Sequence, residues 1–157
     1  MRFPTHDPQE PLMTGPPAPR WSDMPTPPRG RRILGFLITP SVAGPFCDED
    51  CPLPEDADDV EVAAHYSHMK SYIPYLMAER HGSHGGHGSG HGPFHNGVLV
   101  FRDGACRATA RAVVLADTRA PFRAHRQPPP RDVVERVAED LGLEGDAREP
   151  RWYKPAS

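Results

Sequence analysis

Residues 32–39 read RILGFLIT, with Gly30 before them and Pro40 after. The run is short, rich in β-branched and aromatic side chains, and bounded by turn formers, which predicts a strand. Its apolar residues follow one another without alternating polar ones. Both faces are therefore expected to be covered, as in a central strand of a small sheet.

The cover comes from further along the chain. Within residues 59–80, Val62, Tyr66, Met69, Ile73 and Leu76 recur at steps of four and three, the apolar stripe of an amphipathic helix. Asp58 or Asp59 supplies the N-cap, and the surrounding acids suit the positive end of the helix dipole. Pro74 interrupts the stripe at a cost of about 3 kcal/mol, which predicts a kink or a second helix starting at residues 73–74. Gly82 follows as a stop signal.

A hairpin is expected at about 96–115: a strand at 96–101, an Asp-Gly turn at 102–104 and a return strand at 105–115. On the return strand Cys106, Ala108, Ala110 and Ala112 share one face, expected to lie under the helix. Arg107, Thr109 and Arg111 share the other, turned to solvent or an anionic partner. A second helix is expected at about 132–141, with Pro130 and Asp132 at its start, Val133, Val134, Val137, Ala138 and Leu141 on its apolar side, and Gly142 at its end. Residues 40–54 and 117–130, both proline-bearing, read as loops.

The fold class that follows is α+β: a small sheet (first strand about 32–39, hairpin about 96–115) packed by helices at about 59–80 and 132–141, with disordered tails. Residues 1–32 hold nine prolines, so residues 1–31 read as an extended or disordered arm. Residues 32–144 read as one small domain carrying a His/Gly-rich loop at 81–95. Residues 145–157 read as a C-terminal tail, anchored by Trp152 and Tyr153.

Charge is unevenly distributed on a chain of formal net charge −3. Residues 48–61 hold eight acids and no base, whereas Arg119, Arg123, Arg126 and Arg131 cluster later and Arg29, Arg31 and Arg32 precede the first strand. A nucleic-acid binder gathers its bases and keeps acids away, so the acidic stretch argues against that role, while the arginine loop keeps it open. No stretch is apolar enough to span a bilayer, and no apolar segment follows Arg2 to make a secretory signal, so the expected location is cytoplasmic. Cys47, Cys51 and Cys106 do not make a disulfide framework.

The run HGSHGGHGSGHGPFH, residues 81–95, carries His81, His84, His87, His91 and His95 among glycines and serines. Imidazole is a preferred ligand of borderline transition metals, and glycine lets several rings converge on one ion. A helix is improbable across so many glycines, each costing about 1 kcal/mol against Ala. The expectation is an adaptable loop that takes up Zn, Ni, Cu or Co, suited to storage, delivery or buffering. The competing reading is a plain linker.

A second candidate set is Cys47-x3-Cys51-x13-His65-x2-His68. Two thiolates and two imidazoles one helical turn apart close a tetrahedral zinc shell. Over these 22 residues the spacing resembles the Cys2His2 zinc-finger pattern. The last gap is one residue short, and Asp56, Asp58, Asp59 and Glu61 stand where a DNA-reading finger carries bases. A structural zinc knuckle is what this resemblance implies; the competing reading is separate thiols in a loop and two exposed helix histidines. The third candidate is the helix stripe His65, His68, Tyr72, Tyr75 and Glu79, which would line a cleft as ligands or as general acid and base.

The chain holds no phosphate loop, dinucleotide fingerprint, H-E-x-x-H or nucleophile elbow. Those enzyme classes lose their sequence support, while a metal-dependent enzyme built on the helix stripe stays open as a third option; the expected function is a transition-metal-binding accessory or metal-responsive protein. The alternative is a protein–protein assembly subunit. Its Pro-rich arm and aromatic tail would order on a protein partner, with the His/Gly run a linker.

Overall fold

The computed structural model describes residues 18–50, 52–81, 98–101, 109–121 and 123–155. Seven main elements follow in the order β1 Ile33–Leu37, α1 Pro40–Asp50, α2 Asp59–His81, β2 Val98–Phe101, β3 Thr109–Asp117, α3 Arg131–Asp140 and β4 Arg151–Pro155. The protein is α+β. Its strands are all antiparallel and close on themselves in the order β1-β3-β2-β4.

β1 is the strand on which closure depends, bonded to β3 on one side and β4 on the other. Its residues point alternately to two cores. Leu34 and Phe36, with Ile38 just past the strand, join the larger one, with residues of all three helices. Ile33, with Leu37 packed against it, joins a smaller cluster of Val100, Ala112, Val114 and Tyr153 on the inner side of the closed sheet. Both faces of the strand are thus covered, as its continuous apolar run requires.

Closure needs close contact at one point. A Cβ at Gly35 would collide with the Val113 carbonyl of β3, so only glycine fits. A β-bulge lies beside it: Leu34 pairs with Ala116 but Gly35 with Val114, leaving Leu115 as the extra residue. The bulge changes the parity of β3. Val113, Leu115 and Ala116 all reach the larger core, while Ala112 and Val114 face inward. Ala112 therefore lines the inner side of the sheet and not the helix-covered side expected for the small-residue face.

α2 is one helix of 23 residues that carries Pro74 in its interior. Asp58 caps it, accepting from the backbone N–H of Glu61 at 2.8 Å. Tyr66, Met69, Ile73 and Leu76 of the expected stripe are buried, and Val62 is half-buried. α3 presents Val133, Val134, Val137 and Ala138 to the core. It ends in a Schellman turn, with Leu143 N–H donating to Ala138 O at 3.0 Å and Gly142 N–H to Glu139 O at 2.9 Å around the positive φ of Gly142.

Two elements stand where loop and tail were expected. Residues 40–50 form α1 despite Gly44 and Pro45. Pro40 suits the first helical position, where no N–H is needed. Val42, Ala43, Phe46 and Cys47 form a buried face. Burying large apolar side chains returns about 1.5–3 kcal/mol each, so Val42 and Phe46 together outweigh the roughly 3 kcal/mol cost of an interior proline. Residues 151–155 form β4, which bonds to both β1 and β2 and closes the sheet. Trp152 enters the larger core at 1 % exposure and Tyr153 the inner cluster at 5 %.

Part of the proline-rich arm belongs to the folded body. Pro19 O accepts from Trp152 N–H at 2.9 Å, and Trp21 N–H donates to Pro150 O at 2.9 Å. Trp152 Nε1 donates to Met24 O at 2.8 Å. The Arg131 guanidinium lies 4.0 Å above the Trp21 ring. Residues 1–17 of the arm lie outside the described residues, as do residues 82–97 of the His/Gly run and its flank.

Candidate metal centre

α2 carries the candidate residues because its helical repeat puts steps of three and four on one face. The stripe read from the sequence is a continuous ladder of rings. His65 and His68 have centroids 6.3 Å apart, His68 stacks on Tyr72 at 6.1 Å and 11°, and Tyr72 meets Tyr75 at 6.5 Å. Tyr75 Oη then donates to Glu79 Oε1 at 2.6 Å. The hydrogen bond to Glu79 raises the Tyr75 phenol above its ordinary pKa, with the carboxylate charge adding to the effect. His68, Tyr75 and Glu79 are exposed, whereas His65 and Tyr72 are half-buried. The ladder borders the buried stripe and faces outward.

Two residues on, His81 ends the helix. Its Nε2 lies 3.0 Å from Asp140 Oδ2, and its side chain is only 13 % exposed. Asp140 also accepts from Arg80 Nη1 at 2.6 Å. The last turn of α2 is in this way tied to the last residue of α3. The sequence pattern does not single out that carboxylate. The only signal for it was an acid at the end of α3, and acids at helix ends are common.

His84, His87, His91 and His95 lie outside the described residues, and so does Cys51. Cys47 is buried at 1 % exposure within the larger core, on α1. It does not converge with His65 and His68. Among the described residues no three His, Cys, Asp or Glu side chains are grouped to hold a metal ion.

A cleft of about 340 Å³ opens between the end of β1, the start of α1 and β4, lined by Leu37, Thr39, Ser41, Leu143, Arg151 and Tyr153 among others. None of its lining residues comes from the α2 stripe. Trp152 and Tyr153, expected as anchors for a protein partner, are used inside the fold. No described helix is long and apolar enough to cross a membrane. No protein-family model, curated protein or solved structure matches the chain.

Proposed function

We propose that the chain is a transition-metal-binding accessory or metal-responsive protein that captures its ion with the histidine run beginning at His81. The observation that carries this reading is the His81–Asp140 pair. In metal sites the ligating imidazole regularly donates its second ring nitrogen to a carboxylate, which fixes tautomer and orientation and raises ligand basicity. Here such a pair stands at the foot of the run, with Arg80 holding the carboxylate in turn. Ordering a glycine-rich loop around an ion costs roughly 1–2 kcal/mol per residue. A first ligand already positioned by two helices reduces that cost. His84, His87, His91 and His95 supply further imidazoles, and half-buried His65 and exposed His68 form a pair one helical turn apart on the same helix. Zn, Ni, Cu and Co all suit such a donor set.

Calorimetric titration of the full chain with zinc and with nickel, on protein purified without an affinity tag, tests the reading. Replacing His84, His87, His91 and His95 by Ser abolishes the tight phase. Asp140→Asn, with the run intact, weakens binding by about 10–100-fold. The reading fails if the chain binds neither ion more firmly than an unstructured peptide with the same histidines. An Asp140→Asn variant of unchanged affinity removes the observation that supports it.

A further inference from the structure

Six arginines of the described fold are ion-paired: Arg20, Arg31, Arg80, Arg131, Arg136 and Arg151. Five others form a group apart. Arg29 and Arg32 precede β1, and Arg119, Arg123 and Arg126 follow β3. The fold draws these two stretches into one corner. Arg32 N–H donates to Thr118 Oγ1 at 2.8 Å, and Thr118 N–H returns to Arg32 O at 3.0 Å. Arg32 Nε reaches Arg29 O at 3.3 Å. Arg126 folds back through Nε onto Ala120 O at 2.7 Å. Arg123 opens the same short 3-10 turn that Arg126 closes. Four of the five are exposed and Arg32 is half-buried. Among the described residues none of their guanidinium groups is in an ion pair with a carboxylate. Asp117, the acid beside them, is taken up by Arg31 at 2.8 Å and by the Arg119 backbone N–H at 3.0 Å.

The same chain carries the matching charge. Glu49, Glu55, Asp56, Asp58, Asp59 and Glu61 are all exposed, and none is in an ion pair among the described residues. Their backbone is held in place by the Pro54–Ala57 turn and by the Asp58 cap of α2. Two uncompensated surfaces of opposite sign thus sit on one molecule without neutralising each other.

We propose that the arginine corner docks on the acidic ridge of a second copy of this chain. The contact joins two different surfaces, the corner of one copy meeting the ridge of the other. A polyanion such as nucleic acid is a poorer occupant, because the chain as a whole is net negative and its acidic ridge repels phosphate. Exposed ion pairs are individually weak, so association belongs to high protein concentration and low salt.

Sedimentation velocity of the full chain tests this between about 0.01 M and about 1 M salt, where the screening length falls from about 30 Å to about 3 Å. At low salt the mass rises above 17.3 kDa with protein concentration; at high salt it returns to that value. Arg119→Glu with Arg123→Glu, and separately Glu55→Lys with Asp56→Lys, each stay single at low salt. An equimolar mixture of the two variants associates again, and their thermal unfolding matches that of the parent chain. Four outcomes overturn the proposal: a parent chain that stays single at low salt, association that survives high salt, variants that assemble like the parent, or a single chain whose corner retains a labelled single-stranded DNA oligonucleotide.

Discussion

The two cores on either side of the closed sheet differ in kind. The helix-covered side is built from large side chains, with Trp152, Phe36, Met69, Ile73 and Leu115 filling the space between strands and helices. The inner side has little room. Gly35 has no space for a methyl group, and Ala112 and Val114 stand opposite Ile33, Val100 and Tyr153. A core between layers is limited by how well large side chains fill it, whereas the inside of a tightly closed sheet is limited by what can be excluded. Truncation should therefore hurt most on the outer side, and enlargement most on the inner side.

Trp152→Ala breaks the outer core and is the largest expected effect. It empties the site of a fully buried ring and removes the donor to Met24 O, so stability falls by about 3–5 kcal/mol in denaturant unfolding. If the loss is under about 1 kcal/mol, the outer core is not packed in the manner described. Gly35→Ala sharpens the contrast, because adding one methyl group at the closest strand contact costs about 1–3 kcal/mol. The midpoint shifts without a change in the denaturant slope. A neutral Gly35→Ala would mean that β1 and β3 separate easily, and the distinction between the two sides would fail.

The smallest effect lies at the rim, where neither core dominates. Burial pushes the Asp117 carboxyl upward, but hydrogen bonds from Arg31 and from the Arg119 backbone outweigh it and leave its pKa below the ordinary value. A carboxylate with a depressed folded pKa adds stability above its unfolded pKa of about 3.9, and that contribution is lost as pH falls toward the lower folded value. Asp117→Asn accordingly costs about 1 kcal/mol near neutrality. The gap between variant and parent narrows below about pH 4. Unfolding measured across that range checks the sign: a gap that widens in acid would contradict the Arg31 pairing.

Legibility in the sequence followed from how many faces an element buries. α2 and α3 each bury one stripe, so their periods were plain, and the Asp58 cap and Gly142 stop were readable from single residues. α1 was hidden by Pro40, Gly44 and Pro45, which are local reasons against a helix that only burial of Val42, Phe46 and Cys47 overrides. β4 was hidden because Trp152 and Tyr153 are buried on opposite sides, so no apolar–polar alternation marks the strand. Of the candidate site, the ladder from His65 to Glu79 was readable because it follows a helical repeat. The pairing of His81 with Asp140 was not, since the two are 59 residues apart and meet only where the helix ends converge.

The sequence by itself determined an α+β protein with two amphipathic helices, a strand covered on both faces and a histidine run at the end of the longer helix. Each of those is a local pattern, set by side-chain period or by glycine and proline punctuation. Tertiary structure alone decided the closing of the sheet by β4, the helix at residues 40–50, the acid that holds His81 and the gathering of arginines from either side of the β1–β3 pair. These depend on which surfaces meet, and burial and contact across distant stretches of chain leave no period in the residues that make them.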